Sequence, residues 1–506
     1  MHPLLYRRQF LLGPRPVDGL PDAWQRVEVA GGRILHAHPD LAVTQRERGG
    51  VELTLLGYAI DPHHPARDDA DVLDSLLGRV GRAAEVLAET DPLGGRWALV
   101  AADADEALLF NDAHGLRQVV YTHGEGGVWC ASDTPLLGHA VELEDDPEAV
   151  AEFVESDHFQ RWPQVWWPGD RTRYAGVRQL LPNHVLDLGT GAPRRFWPTA
   201  PLEPRTLKSG VERGTAILRG MVAGATRRFP LTAAVTAGVD SRLLLAACRG
   251  VTDRVAFYTF VHYEIDRTHV DVVTPAEVLG SLGLDHHVVD CLSVNDFLTS
   301  DDPAIASYRS LYMSNTSVPH DVWGAISYSM NEAVPGDRVL VKSNCNSTTW
   351  WLHPWRDPEP YRTPEELARA MARRMTKGNP FAVREFTEWA TRAARSSHGY
   401  DLLNLFHVEQ RVGRWQAADQ LERDLDHETF DAANSREYYS TLLGVPAKHR
   451  KPPYRLHREM IRTMWPGTLS VPINPLPLRK RAWKAVRPLF VATGTLDPLK
   501  RLVRGS

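Results

Sequence analysis

The feature that most constrains the fold of this chain is a run of small residues between an apolar strand and a helix. The strand is predicted over residues 231–236, the turn contains Ala237 and Gly238, and the helix is predicted from Ser241. Small side chains let backbone N–H groups approach an oxyanion, and a helix start adds the positive end of its dipole. The sequence therefore predicts a phosphate-binding turn. The alternative is a strand-to-helix turn capped by Asp240 or Ser241.

Strands and helices alternate in the second part of the chain. Helices are predicted over residues 206–228 and 270–282, and strands over residues 255–260 and 286–290. This alternation is typical of an α/β domain with a parallel, doubly wound sheet. From residue 403 onward the pattern predicts a mostly helical tail.

The first 200 residues have a different pattern, with short apolar or alternating runs that end at Gly, Pro or Asp. The predicted strands are 51–60, 97–102, 107–110 and 119–121, and the predicted helix is 71–87. We therefore expect a strand-rich α+β domain over residues 1–200 and an α/β domain over residues 201–506.

Composition limits the class of partner. The chain is 43% apolar and 24% charged, which is usual for a folded globular protein, and its net charge of −5 gives no general attraction to nucleic acid or membranes. No run approaches the ~20 apolar residues that span a bilayer. Four cysteines stand far apart without metal or disulfide spacing. We expect a cytoplasmic protein without nucleic-acid or membrane partners.

The phosphate-binding turn lacks both the GxxxxGK[ST] and the GxGxxG patterns. It resembles the SGGxDS pyrophosphate loop of the N-type ATP pyrophosphatases. The matching run is Thr236, Ala237, Gly238, Val239, Asp240 and Ser241. Thr236 stands where the motif has its first Ser, and Ala237 where it has its first Gly. The resemblance implies that the loop binds the pyrophosphate of ATP and that Asp240 binds Mg²⁺.

The segment after this loop is also similar to that family. Thr259 and Phe260, followed by residues 271–289, resemble its "TF … D…A…A..LGL.HH.V" pattern. This resemblance implies that Thr259 and Phe260 receive the adenine. The pair His286 and His287 suggests a metal site, but no carboxylate or cysteine stands at a ligand spacing, and the alternative is a histidine pair that leads into a strand.

The first domain resembles the glutaminase-type domain over residues 50–125, and residues 176–196 resemble the hairpin that precedes the synthetase domain. The chain is thus similar to the asparagine synthetase, β-lactam synthetase and lasso-peptide cyclase superfamily. That resemblance implies an Ntn-hydrolase-like sandwich followed by an ATP-pyrophosphatase domain. A glutaminase of this class uses an N-terminal cysteine. Residue 2 is His2 and the first cysteine is Cys130, so glutamine hydrolysis is expected to be absent.

Two departures concern charge in the ATP-pyrophosphatase domain. Ser343 matches the start of the family's "SGeG.DE" motif and is assigned to pyrophosphate binding, but residues 344–346 read Asn-Cys-Asn and lack the second acidic metal ligand. The family's later lysine has no clear equivalent, and Arg479 or Lys480 are the candidates. The basic stretch 478–506 is interpreted as a solvated tail, with a phosphate or leader-peptide contact as the alternative.

These expectations describe an ATP-dependent, AMP-forming amide ligase. A substrate carboxylate would attack the α-phosphate, pyrophosphate would leave into the loop, and an amine would displace AMP. The amine belongs to a small-molecule or peptide substrate, as in intramolecular closure, or is free ammonia. The cofactors are ATP and Mg²⁺, and a homodimer is also considered. The alternative is a non-catalytic or merely nucleotide-binding relative. The sequence assigns no catalytic residue.

Overall fold

Two antiparallel sheets and one parallel sheet organise the protein in the computed structural model, which describes residues 2–161, 166–262, 264–350, 361 and 363–475. The chain is therefore a mixed α/β protein. Both antiparallel sheets lie in the first 200 residues, and the parallel sheet lies after them.

The antiparallel sheets are built from short strands of the kind that the sequence predicts. The strands are β1 (Phe10–Gly13), β2 (Gln25–Val29), β3 (Arg33–Ala37), β4 (Val43–Arg48), β5 (Val51–Ile60), β6 (Gly94–Ala102), β7 (Ala107–Asn111), β8 (Val120–Gly124), β9 (Gly127–Ala131), β10 (Arg178–Gln179), β11 (His184–Asp187) and β12 (Pro193–Arg195). The order is β10-β8-β9-β1-β3-β2 in one sheet and β12-β11-β7-β6-β5-β4 in the other. The prediction of a strand-rich α+β region is confirmed.

The two antiparallel sheets pack face to face. Phe10 and Leu12 of β1 share one buried core with Leu56 of β5 and Val100 of β6. Because successive side chains of a strand point to opposite faces, one face of each sheet fills this core. The first 200 residues therefore form a sandwich.

Short helices complete this part of the chain. They are α1 (Asp69–Leu77), α2 (Val86–Glu89), α3 (Thr134–Leu137), α4 (Pro147–Ala149) and α5 (Asp157–Arg161), with 3₁₀ turns at Ala30–Gly32 and Ala83–Glu85 and a π-helical turn at Val150–Val154. The prediction of one helix over residues 71–87 is wrong. Helix α1 ends at Leu77, Gly78 is its C-cap, and a second glycine, Gly81, follows. Two glycines lower the helical propensity of this stretch.

The parallel sheet confirms the expectation from the alternating pattern. Its strands are β13 (Leu231–Ala234), β14 (Val255–Val261), β15 (His287–Asp290), β16 (Val339–Lys342) and β17 (Thr429–Asp431), in the order β15-β14-β13-β16-β17. All four neighbouring pairs are parallel. Strand β17 lies inside the stretch that was predicted to be mostly helical, and its three residues are too few to show a period.

Helices flank the sheet and make up most of the later chain. They are α6 (Leu207–Arg228), α7 (Val239–Ala247), α8 (Val270–Ser281), α9 (Val294–Thr299), α10 (Pro303–Asn315), α11 (Asp321–Ala333), α12 (Pro364–Thr376), α13 (Pro380–Arg395), α14 (Leu402–Phe406), α15 (Ala417–Arg423), α16 (Arg436–Leu443), α17 (Ala447–Arg450) and α18 (Arg455–Met464), with 3₁₀ turns at Thr252–Arg254, Asn344–Thr349 and Pro466–Leu469 and a π-helical segment at His407–Gln416. Among the helices of the described residues, none combines the length and the apolar character that crossing a bilayer requires.

Helices from the second part of the chain cover the first part. Leu367 of α12 and Phe386 of α13 belong to the same buried core as Leu53 of β5 and Leu99 of β6. The sandwich and the later helices therefore share a core, and the division at residue 200 stays a prediction.

A buried ion cluster joins the sandwich to the parallel sheet. Arg96 of β6 forms a two-pronged ion pair with Asp424 and lies 2.8 Å from Glu428 through its Nη1 atom. Arg117 Nη2 lies 2.8 Å from the other oxygen of Glu428. Arg96 and Asp424 are fully buried. Since Glu428 immediately precedes β17, the cluster fixes the start of that strand.

Replacing Arg96 with leucine should destabilise the whole protein, because Asp424 would be left buried without its main partner. The expected loss in the free energy of unfolding is about 3–5 kcal/mol. The matched control is Arg46→Leu on β4, where an exposed pair with Asp74 at 3.5 Å contributes at most about 1 kcal/mol. Urea unfolding followed by circular dichroism gives both values. A loss for Arg96→Leu no larger than the control's would contradict the role of the cluster.

Candidate functional site

The loops after the parallel strands meet at one edge of the sheet. The predicted loop 236–241 follows β13, Ser343 follows β16, and Asp431 is the last residue of β17. In an open parallel sheet this carboxyl edge is where ligands bind. The structure therefore brings together the loop and Ser343, which are far apart in the sequence.

The predicted phosphate-binding turn is held by its own side chains. The Thr236 N–H donates to Ser241 Oγ at 3.0 Å, and the two hydroxyl oxygens also lie 3.0 Å apart. The Gly238 N–H donates to Thr236 Oγ1 at 3.2 Å. These hydrogen bonds fix the shape of the turn. The turn contains no lysine of the kind found in a Walker loop.

Helix α7 begins at Val239, two residues before the predicted start. Asp240 and Ser241 therefore lie in its first turn, where backbone N–H groups have no acceptor within the helix and attract an anion. One loop amide has a partner already, because the Ala237 N–H donates to Asp271 Oδ1 at 2.9 Å.

Asp240 has two hydrogen-bond donors at its carboxyl group. Its Oδ1 accepts a hydrogen bond from Asn346 Nδ2 at 2.5 Å and another from Trp350 Nε1 at 2.7 Å. Loss of water around the carboxyl raises its pKa to about 6, although both hydrogen bonds lower it. A cation beside this carboxyl group would stabilise its ionised form and lower its pKa.

The asparagines that replace the family's second acid have different positions. Asn346 donates to Asp240 and accepts from the Tyr438 hydroxyl at 2.8 Å. Asn344 instead donates to Gln416. Asn346 therefore belongs to the site as a neutral neighbour of Asp240, while the side chain of Asn344 is occupied elsewhere.

Asp431 is an acid that the sequence interpretation did not assign. With Asp240 and Ser343 it lines a cavity of about 10 Å³. Its Oδ2 accepts from the Cys345 N–H at 2.9 Å and its Oδ1 from the Ala433 N–H at 3.0 Å. Burial raises its pKa to about 7, and the charge of Asp240 contributes to the rise. In the sequence, Asp431 lies in the stretch from residue 403 onward that was predicted only as a mostly helical tail.

The predicted adenine contacts lie at the end of β14. Thr259 is buried, and its hydroxyl donates to the Val235 carbonyl at 2.7 Å and lies 2.9 Å from His286 Nε2. Phe260 is half-buried and meets the Trp323 ring edge-on, with centroids 6.4 Å apart. The hydroxyl of Thr259 is thus already hydrogen-bonded within the protein, whereas part of the Phe260 ring is exposed and can contact a ligand.

The last described segment of the chain ends against the loop. The Asn474 N–H donates to the Ala237 carbonyl at 2.8 Å. Behind the loop, buried Arg242 donates to the carbonyls of Thr468 at 2.6 Å and Val471 at 2.8 Å. The candidate cations Arg479 and Lys480, and the basic stretch 478–506, lie outside the described residues.

Larger cavities of the described residues lie away from this edge. A cavity of about 310 Å³ is lined by Gln179 of the sandwich and by Arg414 of the π-helical segment, and Arg414 donates a hydrogen bond to the side-chain oxygen of Gln179. A groove of about 1090 Å³ runs between His287 of β15 and Glu332 of α11. No residue predicted for the nucleotide site lines either space.

The sequence matches no known protein family and no curated protein. Two solved structures are similar in part. Glutamine phosphoribosylpyrophosphate amidotransferase from B. subtilis, complexed with ADP and GMP, is 10% identical over 69% of this chain and 73% of that chain, with a TM-score of 0.23. A structure described as the allosteric regulatory enzyme of purine biosynthesis is 12% identical over 62% of this chain and 75% of that chain, with a TM-score of 0.24. At these identities and TM-scores, neither structure identifies the family or the function of this chain.

The raised pKa of Asp431 predicts that stability depends on pH. The pKa is about 7 in the folded protein, against 3.8 for an ordinary aspartate. The protonated carboxyl therefore stabilises the fold fully below about pH 4, and this contribution is lost as the pH rises through about 7. Relative to the Asp431→Asn variant, the parent should lose on the order of 2 kcal/mol between about pH 5 and about pH 8.

Urea unfolding of both proteins at the two pH values, with EDTA present to remove divalent cations, measures this difference. If parent and variant keep the same difference in unfolding free energy at both pH values, the carboxyl does not titrate as described.

Proposed function

We propose that this chain is an ATP-dependent, AMP-forming amide ligase. The observation that carries the proposal is the meeting of Asp240 and Asp431 beside a small-residue loop at the start of α7, on the carboxyl edge of a parallel sheet. In this proposal the parallel sheet is an ATP-pyrophosphatase domain, and the antiparallel sandwich is an Ntn-hydrolase-like domain without glutaminase activity.

The loop suits a departing pyrophosphate. Transfer of a γ-phosphoryl group usually uses a lysine and a metal to neutralise the terminal phosphate. The loop from Thr236 to Ser241 has no lysine, and it offers backbone amides at a helix start. Charge stabilisation of pyrophosphate at this position is the contribution expected of the loop.

The two carboxylates fit a magnesium ion. Mg²⁺ prefers oxygen ligands and is commonly held by one or two carboxylates together with phosphate and water oxygens. Asp240 and Asp431 line a space of about 10 Å³, which is about the smallest space that holds one species of the size of a water molecule. No group of three or more metal-binding side chains stands together in the described part of the chain. When bound, the ion would neutralise the negative charge of the phosphates.

In this proposal the first part of the chain supplies no catalytic residue. Cys130 is buried between the two antiparallel sheets, and burial raises the pKa of its thiol. A thiol of this kind is a poor nucleophile, so glutamine is not expected to supply ammonia. We propose that the nucleophile is an amine of a small-molecule or peptide substrate. A cytoplasmic location and a homodimer remain predictions.

Replacing Asp240 with asparagine should weaken the binding of ATP in the presence of Mg²⁺. The change removes the negative charge and keeps the shape, so the expected loss is about tenfold in affinity, or about 1.4 kcal/mol. Isothermal titration calorimetry measures it, and Asp253→Asn in the exposed turn Thr252–Arg254 is the control. Equal affinity in the Asp240→Asn variant and the parent would place the metal elsewhere.

Turnover of ATP should give AMP and pyrophosphate, since the loop is suited to hold pyrophosphate as it leaves. Purified protein incubated with α-labelled ATP, Mg²⁺ and a panel of peptides and amino acids that carry both a carboxylate and an amine would show the product by chromatography. Formation of ADP would rule out this class of reaction. Binding of ATP without any nucleotide product would favour the alternative, a non-catalytic nucleotide-binding protein.

A further inference from the structure

The cavity of about 310 Å³ lies against the outer face of the antiparallel sheet that contains β8, β9 and β10. Val120 of β8 lines it, and with Ala131 of β9 it belongs to a buried core that is distinct from the core between the two sheets. Val120 pairs with Gln179 of β10 on one side and with Ala131 on the other. Gln118 and Asp133, each two residues from this pair, also line the cavity.

The second part of the chain closes this space. Residues 316–320 and the π-helical segment His407–Gln416 contribute the opposite wall. The volume is at the lower end of the about 300–1,000 Å³ that is usual for small-molecule sites. The cavity is therefore large enough for a small organic molecule.

Arg414 is a buried cation that forms no ion pair with any described residue. Its Nε donates to the Trp167 carbonyl at 3.0 Å, its Nη2 to the Arg171 carbonyl at 2.5 Å, and its Nη1 to the side-chain oxygen of Gln179. All three acceptors are neutral, and a guanidinium has five N–H groups. Burial lowers the pKa of Arg414 to about 10, so the group stays charged at neutral pH.

Asp133 is a buried acid that likewise has no ion pair in the described part of the chain. Its Oδ1 accepts from the Thr134 N–H at 2.7 Å and its Oδ2 from the Ser317 N–H at 2.8 Å. Burial raises the pKa of Asp133, and the charge of Arg414 opposes this rise. Each carboxylate oxygen has two acceptor positions, so both oxygens can accept another hydrogen bond.

The side-chain amide of Gln118 is a third polar group that the protein does not use. Gln118 lines the cavity and is only 5% exposed, and its amide has no hydrogen-bond partner among the residues that the structure describes. A buried polar group without a partner costs stability. Its position in the wall of a cavity indicates that a ligand or ordered water bonds to it.

The other charged side chains of the wall already have partners. Glu422 accepts from His320 Nδ1 at 2.6 Å and from the Tyr312 hydroxyl. Arg173 is exposed and donates to both carboxylate oxygens of Asp145, at 2.7 Å and 2.6 Å. One cation and one anion of the wall are therefore open to a charged ligand.

Aromatic rings form the apolar part of the wall. Phe159, Trp166, Trp167 and Trp415 line the cavity, and the centroids of the Phe159 and Trp167 rings lie 6.1 Å apart. Aromatic side chains bury a large apolar area in such contacts. Apolar walls with a few polar groups that fix the orientation are typical of a small-molecule site.

We infer that this cavity binds an α-amino acid with an apolar side chain. Asp133 binds the ammonium group, Arg414 binds the carboxylate, and Gln118 supplies a further hydrogen bond. The apolar side chain lies against the aromatic rings. A zwitterion matches one cation and one anion, whereas a simple acid or a simple amine would leave one buried charge without a partner. The cavity contains no residue of the loop 236–241, and the inference does not depend on the proposed function.

The test compares L-phenylalanine with two analogues that each lack one charge, 3-phenylpropanoate and L-phenylalaninamide. Isothermal titration calorimetry with the full chain at about pH 7, where α-amines are mostly protonated, measures the three affinities. L-Phenylalanine should bind at least about tenfold more tightly than either analogue, or by about 1.4 kcal/mol, because each analogue lacks one charge-assisted hydrogen bond. Equal affinities would overturn the inference, as would no binding of L-phenylalanine and of L-leucine at about 1 mM.

Two variants assign the charges. Asp133→Asn should weaken L-phenylalanine and L-phenylalaninamide at least about tenfold and leave 3-phenylpropanoate within about threefold. Arg414→Gln should weaken L-phenylalanine and 3-phenylpropanoate and spare the amide. Asp302→Asn is the control, because Asp302 caps α10 as Asp133 caps α3 but does not line the cavity. A variant that weakens all three ligands equally would contradict the assigned roles.

Gln118→Leu decides the matter if these variants do not fold. The change keeps the approximate size of the side chain and removes no hydrogen bond between described residues. Urea unfolding should therefore show a stability no lower than that of the parent. The affinity for L-phenylalanine should nevertheless fall by at least about threefold. An unchanged affinity would overturn the inference.

Nucleotide binding separates this inference from the proposed function. Asp133→Asn and Gln118→Leu should keep the parent's affinity for ATP within about twofold, because the cavity and the loop share no residue. Asp240→Asn should show the reverse, with weaker binding of ATP and normal binding of L-phenylalanine. If the parent binds L-phenylalanine but not ATP, the amino-acid site stands and the proposed function fails.

Discussion

The ion cluster of Arg96 and Arg117 with Asp424 and Glu428 is the interaction on which the site depends most. Strand β17 has only three residues, which is too short to be set by its own propensity, yet it carries Asp431 at its end. The cluster fixes the chain immediately before that strand. Beyond the strand, Asn434 donates to the carbonyl of Gly95 at 2.7 Å and to Asp112 at 2.9 Å. The contacts with the sandwich therefore fix the position of the edge strand of the parallel sheet.

Charge that is absent from a sequence motif can be present in the folded site. The segment 344–346 lacks the acid that the resemblance implies, and Asn346 brings only an amide to Asp240. Asp431 reaches the same cavity from a strand far along the chain. A parallel sheet places the ends of all its strands at one edge, so a carboxylate from any neighbouring strand can take the position. The carboxylates of a site therefore have to be identified from the folded structure, because residues that are far apart in the sequence can supply them.

The sequence was informative where local physical chemistry decides the structure. Residues 51–60 form a largely apolar run and were predicted as a strand with the bounds that β5 has. The strand, small-residue turn and helix around Gly238 were predicted because each of the three has its own signal. The end of helix α1 was not predicted, although Gly78 and Gly81 both disfavour a continuous helix at this point. The position of Asp431 beside Asp240 could not be predicted, because these two residues are brought together only by tertiary packing.

The hydrogen bonds behind the loop 236–241 join residues that are far apart along the chain. The carbonyl of Ala237 accepts from Asn474, and Arg242 is held by the carbonyls of Thr468 and Val471. During synthesis a ribosome releases the loop more than 200 residues before these partners, as the residue numbers show. The hydrogen bonds of the Arg242 guanidinium to these carbonyls can therefore form only after almost all of the described chain has emerged. A nascent chain that stops before residue 468 would carry the whole parallel sheet and still lack the support of its loop.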